Sequence, residues 1–244
     1  MRTYGLIGYP LTHSFSEKYF INKFHQLGII DAEYFTFSIP SIDELNLIIK
    51  THQNLCGFNI TIPYKKQILA FLNDADDTVK AMNACNCVII KDEQLIGYNT
   101  DVIGFELSLK PFLKPHHNKA LILGTGGAAA AVEFVFKKLN INYQLVSRNS
   151  CNDNLMYSEL NESILSDHTL IINTSPVGQF PANDQSPSIP YQFITSKHHL
   201  FDLIYNPVET SFLQKGKAMG ASTQNGYEML VLQAEESWRI WSEK

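Results

Sequence analysis

Residues 120–129 have the sequence ALILGTGGAA, in which an apolar strand runs directly into a glycine turn and the start of a helix. Glycines let the backbone approach a phosphate, and the free N–H groups that begin the helix face the anion. Many strand–helix turns carry glycines without binding a nucleotide, so the pattern alone is weak. It predicts a dinucleotide site whose support depends on the motifs around it.

The composition is typical of a folded globular protein. Of its residues, 45% are hydrophobic and 18% are charged. A length of 244 residues suffices for one large domain or two modest ones. The formal net charge of -5 argues against a nucleic-acid partner. We find no signal peptide and no apolar run of membrane-spanning length, and we expect a soluble cytoplasmic protein. The cysteines form no C-x-x-C pair, so we predict neither a disulfide framework nor a metal site.

The order of the elements predicts two lobes. Strands and helices alternate along the first lobe and end in a hairpin around Asp92-Glu93, and a second strand–helix series follows a connecting helix. We predict an α/β fold with a first lobe of residues 1–101, completed by the C-terminal helix 226–244. Residues 102–225 form a Rossmann-type dinucleotide-binding lobe, and the ligand is expected in the cleft between the two.

The strand after the glycine-rich helix ends in LVSRN, residues 145–149, without a carboxylate. An acidic residue at this place would accept the ribose 2′-hydroxyl of NAD. Arg148 can instead pair with a 2′-phosphate, and Ser147 adds a neutral donor, so the pattern favours NADP over NAD. The alternative is that Arg148 is a solvated surface arginine.

Residues 59–65, NITIPYK, end a strand, turn at proline and place Lys65 on the first turn of a predicted helix. A positive charge opposes the helix dipole at that position, and such a local inconsistency is a hint of function. A lysine that acts as a general acid or base requires a partner, and Asp101 is available after the hairpin. The alternatives are a solvated lysine and an aspartate that merely caps a helix beginning at Val102.

Two further groups of polar residues are suited to bind a ligand. Ser14 and Ser16 follow the first strand, where two hydroxyls at a helix start can hold a carboxylate together with free N–H groups. Helix capping by either serine is the alternative, and we expect a structural role for His13. Asn86 is polar within an apolar strand, so when buried it requires hydrogen bonds, which a polyhydroxyl ligand would supply.

Taken together, these motifs resemble shikimate dehydrogenase over nearly the whole chain. The family patterns G-x-P-x-x-H-S-x-S, N-[VI]-T-x-P-x-K and D/N-N-T-D are matched by residues 8–16, 59–65 and 99–101. The glycine turn and the segments 172–175, 202–207 and 226–234 follow in the family's order. The chain departs from the family at Cys87, where a threonine is usual, and at Glu17 and Ser147.

The resemblance implies reversible NADPH-dependent reduction of 3-dehydroshikimate to shikimate, in chorismate and aromatic amino-acid biosynthesis, by a monomer or homodimer. The first lobe would bind the substrate, Lys65 would be the acid–base residue and Asp101 would position its ammonium group. The substrate carboxylate and ring would be bound by Ser14, Ser16, Thr61, Asn86, Asp101, Tyr205 and Gln233. The cofactor would contact Gly124, Gly126, Gly127, Ala128, Ser147, Arg148, Asn173, Thr174, Leu203, Gly226 and, with weaker support, Asp77.

Two alternatives stay open. One is a quinate/shikimate dehydrogenase that uses NAD, against which the missing acidic residue after Val146 counts. The other is a non-catalytic NADP-binding regulator of the same fold, which would be expected to lack Lys65 or Asp101, although both are present. A folate-type dehydrogenase gives no reason for the paired serines.

Overall fold

The computed structural model describes residues 1–11, 14–149 and 154–242. Its contacts divide the chain into two units, the first formed by Met1–Ile103 with Gln233–Lys244 and the second by Gly104–Leu232. Each unit contains one six-stranded sheet. No described helix is long and apolar enough to cross a membrane.

The sheet of the first unit is mixed. Its strands are β1 (Arg2–Gly8), β2 (Ala32–Ser38), β3 (Leu55–Ile60), β4 (Asp74–Ala75), β5 (Cys87–Lys91) and β6 (Gln94–Tyr98). They lie in the order β2-β1-β3-β5-β6-β4, and β5 is antiparallel to both β3 and β6. The hairpin predicted between β5 and β6 is confirmed: Asp92 and Glu93 have φ of 49° and 61°, as a tight two-residue hairpin turn requires.

Helices on this sheet bury aromatic side chains. They are α1 (Phe15–Gln26), α2 (Leu45–Thr51), α3 (Asp77–Met82), the start of α4 (Thr100–Leu109) and most of the C-terminal helix α8 (Tyr227–Ser242). Trp241 of α8 stacks on Tyr4 of β1, with ring centroids 4.9 Å apart, and packs against Phe20 of α1. A Cβ on Gly57 would overlap the Trp241 ring, so glycine is required where α8 lies against β3. The C-terminal helix therefore completes the core of the first unit.

The prediction of a helix that begins at Pro63 is wrong. Residues 62–66 form turns, and a short 3-10 helix follows at Gln67–Phe71. In an α-helix the carbonyl of Lys65 would accept from the N–H four residues later, but here it accepts from the backbone N–H of Cys85 at 2.8 Å. Lys65 therefore does not oppose a helix dipole, contrary to the expectation from the sequence.

The sheet of the second unit is entirely parallel. Its strands are β7 (Lys119–Leu123), β8 (Asn142–Ser147), β9 (Leu155–Met156), β10 (Leu170–Asn173), β11 (His199–Asp202) and β12 (Ser222–Gln224), with helices α5 (Gly127–Lys138), α6 (Glu162–Asp167) and α7 (Ser211–Ala218). The order β12-β11-β10-β7-β8-β9 is that of the doubly wound dinucleotide-binding fold. The strand order reverses between the neighbouring strands β7 and β10, and such folds bind their ligand at this switch point.

Several short elements of the second unit were not predicted. They are β9, β12, α6 and α7, and each is eight residues or shorter. Elements of this length show too little periodicity to be recognised. The strand predicted to reach Ile204 ends at Asp202, because the carboxylate of Asp202 accepts a hydrogen bond from the N–H of Ile204 at 3.1 Å and turns the chain.

Candidate active site and dinucleotide site

Lys65 and Asp101 lie in direct contact within the first unit. The Nζ atom of Lys65 is 2.5 Å from Oδ2 of Asp101, although 36 residues separate them in the chain. Their side chains are 33% and 21% exposed, so the pair is partly shielded yet open to a small ligand. An ammonium group held in this way can exchange a proton with an oxygen atom placed beside it.

The position of Asp101 is not that of a helix cap. Helix α4 begins at Thr100, so Asp101 lies in the first helical turn, and the alternative of an N-cap for a helix from Val102 is wrong. A carboxylate in the first turn stabilises the helix dipole. Fold stability therefore favours the same placement that brings Asp101 to Lys65.

Asn86 finds its hydrogen bonds inside the protein. Its Oδ1 accepts from the backbone N–H of Thr100 at 2.6 Å, and its Nδ2 donates to the Thr100 hydroxyl at 3.0 Å. The same hydroxyl lies 3.4 Å from Oε1 of Gln233 and 3.3 Å from the hydroxyl of Ser237. Asn86 therefore does not require a ligand, contrary to the expectation from the sequence. The network nevertheless places Asn86 and Gln233 around Thr100, the residue that precedes Asp101. Their contact with a substrate stays a prediction.

The serine pair lies at the start of α1. Ser14 is the N-cap, and its hydroxyl oxygen accepts from the N–H of Glu17 at 3.1 Å. The proposed capping is thus observed, and the O–H of Ser14 remains available to donate to an anion. Ser16 hydrogen-bonds to Tyr34, whose pKa is raised well above its usual value because the phenol is buried. His13 lies outside the described residues.

Thr61 and Tyr205 have different surroundings. Thr61 follows β3 and is bonded to β1 through its N–H, which donates to the carbonyl of Ile7 at 2.9 Å. A Cβ on Gly8 would overlap the Thr61 methyl group, so Gly8 permits this close approach. Tyr205 belongs to the second unit and is exposed. Their substrate contacts also stay predictions.

The glycine turn forms one wall of a cavity of about 720 Å³ in the second unit. Gly124 has a φ of +118°, and a Cβ there would lie 2.8 Å from the Thr174 hydroxyl, so this position requires glycine. A Cβ on Gly126 or Gly127 would meet nothing within 4 Å, so both backbones face open space. Gly126 caps α5 without a side-chain hydrogen bond, which leaves the first N–H groups of the helix free for an anion.

The cavity suits a phosphorylated dinucleotide. It is lined by Gly124, Thr125, Gly126, Val146, Ser147, Arg148, Met156, Tyr157, Ser158, Thr174, Ser175, Pro176, Val177, Ser186, Pro187 and Ser188. Among these described residues Arg148 is the cation and none is a carboxylate. A phosphate on the ribose is therefore accommodated here, whereas a free 2′-hydroxyl has no acidic partner.

The structure separates the predicted cofactor residues into groups. Gly124, Gly126, Ser147, Arg148 and Thr174 line the cavity. Gly127 and Ala128 open helix α5 beside it. Leu203 and Gly226 lie together, because a Cβ on Gly226 would overlap the Leu203 carbonyl. Asp77 is exposed at the start of α3 in the first unit. Direct contact of these residues with a cofactor stays a prediction.

Asn173 and Asp202 form a buried, hydrogen-bonded pair at the ends of β10 and β11. Nδ2 of Asn173 donates to Oδ1 of Asp202 at 3.0 Å, and its Oδ1 accepts from the N–H and the hydroxyl of Ser175. The carboxamide of Asn173 is thus fully engaged inside the protein, and its neighbours Thr174 and Ser175 reach the cavity. Asp202 was not singled out from the sequence. A carboxylate within the otherwise apolar stretch 200–204, LFDLI, is the signal that would have found it.

The described residues place no group of three His, Cys, Asp or Glu side chains for a metal ion. Comparison with known proteins gives the site its context. A family model described as the shikimate dehydrogenase substrate binding domain matches residues 6–88. Shikimate dehydrogenase (NADP(+)) of Methanococcus maripaludis strain C6 is 37% identical over 257 residues, which cover 98% of this chain and 91% of that protein. The chain belongs to the shikimate dehydrogenase family.

Solved structures of shikimate dehydrogenases share the two-unit fold. A chorismate mutase/shikimate 5-dehydrogenase fusion protein from Clostridium acetobutylicum is 33% identical, with a TM-score of 0.87, and the match covers 100% of this chain and 92% of that one. The shikimate 5-dehydrogenase of Thermus thermophilus, solved in complex with NADP(H) and shikimate, is 27% identical with a TM-score of 0.86, and the match covers 100% and 94%. The family resemblance and the fold class expected from the sequence are confirmed.

Proposed function

We propose that this chain catalyses the reversible NADPH-dependent reduction of 3-dehydroshikimate to shikimate, a step of chorismate and aromatic amino-acid biosynthesis. The observation that carries the proposal is the Lys65–Asp101 contact of 2.5 Å, within the unit that contains the family's substrate-binding match. A protein of this fold without chemistry has no need of that pair. The alternative of a non-catalytic regulator is therefore disfavoured.

Lys65 gives the proton in the reducing direction. Its Nζ donates a proton to the substrate's carbonyl oxygen, which becomes the hydroxyl group. NADPH, when bound, would supply the hydride that the carbonyl carbon gains. In the reverse direction the neutral amine takes the hydroxyl proton. Oδ2 of Asp101 accepts a hydrogen bond from the ammonium group of Lys65 and so fixes the position from which Lys65 donates its proton to the substrate.

The rest of the first unit would hold the ring. Ser14 and Ser16 are assigned to the substrate carboxylate, because hydroxyl donors and helix N–H groups meet at the start of α1. The ring hydroxyls are assigned to Thr61, Asn86 and Gln233. Discrimination between shikimate and quinate depends on this set, because the two differ at the ring carbon that bears the carboxylate.

NADP is the favoured cofactor. The glycine turn with free N–H groups at α5 suits the pyrophosphate, and Arg148 with Ser147 suits the 2′-phosphate. Leu203 and Gly226 are assigned to the nicotinamide end. The absence of a carboxylate from the described lining residues disfavours the NAD-dependent alternative.

The test is absorbance of the reduced nicotinamide with shikimate or quinate against NADP or NAD. We expect the highest kcat/KM for shikimate with NADP. Lys65→Ala is expected to lower kcat by about 10²- to 10⁴-fold with NADPH binding nearly unchanged, and Lys66→Ala, the neighbouring lysine, serves as the matched control. Normal turnover by Lys65→Ala would refute the acid–base assignment, and NADPH binding without turnover of either substrate would favour the regulator.

A further inference from the structure

The segment Ala84–Asn86 connects the backbone of Lys65 to the residues around Asp101. On one side, the N–H of Cys85 donates to the carbonyl of Lys65 at 2.8 Å. On the other side, the N–H of Asn86 donates to the carbonyl of Tyr98 at 3.1 Å. This segment therefore links the backbone of Lys65 to the end of β6, the strand that leads to Asp101.

Asn99 supplies a further hydrogen bond on this second side. Its Nδ2 donates to the carbonyl of Ala84 at 2.9 Å, next to the bond from Thr100 N–H to the Asn86 side chain. Asn99 is 4% exposed, and its Oδ1 has no hydrogen-bond partner among the described residues. A buried acceptor without a donor costs free energy, so a carboxamide is a poor choice here for stability alone.

We propose that Asn99 is a positioning residue for the Lys65–Asp101 pair. Asn99 lies two residues before Asp101 and is tied to Ala84, and the next residue, Cys85, is tied to Lys65. Loss of the hydrogen bond from Asn99 to Ala84 frees the segment Ala84–Asn86 to move relative to Asp101, while both charged groups stay in the protein. The catalytic consequence rests on the proposed function, whereas the geometric consequence does not.

The geometric test uses trace acetylation with acetic anhydride and peptide mass mapping. In Asn99→Leu, which has similar volume and neither donor nor acceptor, we expect the Lys65:Lys66 labelling ratio to rise at least threefold, because an amine released from its carboxylate reacts more often. Asp101→Asn gives the upper limit of this rise. Asn161→Leu is the matched control, since it removes the side-chain hydrogen bonds of an asparagine in the other unit, one from the N–H of Ile164 at the cap of α6 and one to the carbonyl of Glu159. An unchanged ratio in Asn99→Leu would overturn the proposal.

The kinetic test asks whether Asn99 acts through Asp101. We expect Asn99→Leu to lower kcat about tenfold with KM for shikimate within about twofold, a loss typical of a slightly misplaced catalytic group. In the Asp101→Asn background the same substitution should cause no further loss. Losses that multiply would indicate a general structural effect and overturn the proposal.

The labelling test and the kinetic test distinguish failure of the proposed function from failure of the positioning role. If the wild-type protein does not turn over shikimate, the proposed function fails, and the labelling ratio still decides the positioning role. Asn99→Ala, with thermal melting as a check of folding, replaces Asn99→Leu if the leucine variant does not fold.

Discussion

Asp202→Asn tests the buried carboxylate that joins the ends of β10 and β11. Asp202 is fully buried, and it accepts hydrogen bonds from Asn173, from the N–H of Ile204 and from the Thr210 hydroxyl, the last at 2.6 Å. Burial raises the pKa of Asp202 to about 6, although the hydrogen bonds from Thr210, Ile204 and Asn173 oppose the shift. Asparagine keeps the shape and most of the hydrogen bonds and cannot ionise.

The magnitude follows from the pKa shift. An ordinary aspartate has a pKa of 3.8, so the folded state holds this proton over about two additional pH units, and each unit corresponds to about 1.4 kcal/mol. Because the folded pKa lies above the unfolded one, the stabilisation is complete below about pH 4 and is lost as the pH rises to about 6. The free energy of unfolding of the wild type, relative to Asp202→Asn, should therefore fall by about 3 kcal/mol between about pH 3 and about pH 7.

The assay is urea unfolding at half-unit steps of pH, followed by far-ultraviolet circular dichroism. Both tryptophans, Trp238 and Trp241, lie in the first unit, so their fluorescence serves as the internal reference for the unit without the substitution. Burial raises the pKa of Glu106, but the ion pairs with Lys110 and Lys138 lower it more. The contribution of Glu106 to the pH dependence of stability therefore has the opposite sign to that of Asp202. It is the same in the wild type and in Asp202→Asn, so it cancels in their difference. Parallel stability curves for wild type and Asp202→Asn, or a difference that grows with pH, would refute the reasoning.

Two substitutions in the cofactor cavity complete the predictions. Arg148→Ala should raise KM for NADP about 10- to 100-fold, the loss expected for charged hydrogen bonds to a phosphate. It should also narrow the preference for NADP over NAD. The control Arg2→Ala, in the first unit, should change neither KM nor the cofactor preference. An unchanged cofactor preference would remove Arg148 from the site. Gly124→Ala should cost about 1–3 kcal/mol of stability and weaken NADPH binding, because a side chain is strained at φ +118° and meets Thr174. Gly28→Ala, with φ +62° and open space around it, isolates the strain, and equal NADPH affinities for both variants would contradict the predicted clash.

Much of the second unit was predictable from short stretches of the chain. The strand predicted at residues 170–173 has those bounds, and the helix after the glycine turn begins at Gly127 as expected. These elements are apolar runs bounded by glycine or polar residues, and their signals lie within a few neighbouring positions. The family motifs identify the same positions, because each motif is a local arrangement of strand end and turn.

The first unit shows where local patterns fail. The segment after Pro63 has the spacing of a helix, yet the Tyr64 hydroxyl donates to the carbonyl of Ile39 and the Lys65 carbonyl is taken by Cys85. Asn86 was expected to require a ligand, yet Thr100 satisfies it. In each case the deciding partner lies more than ten residues away, and no window of sequence contains it.

The sequence by itself determined the residue types of the site, the order of the motifs, the glycine turn and the family. The tertiary structure decided that Lys65 meets Asp101, that Asn99 and Ala84–Asn86 connect them, and that Asp202 joins the ends of β10 and β11. The reason is physical: a motif is formed by residues that are neighbours in the chain. A contact between a turn after β3 and the start of α4 depends instead on the order β3-β5-β6 across the sheet.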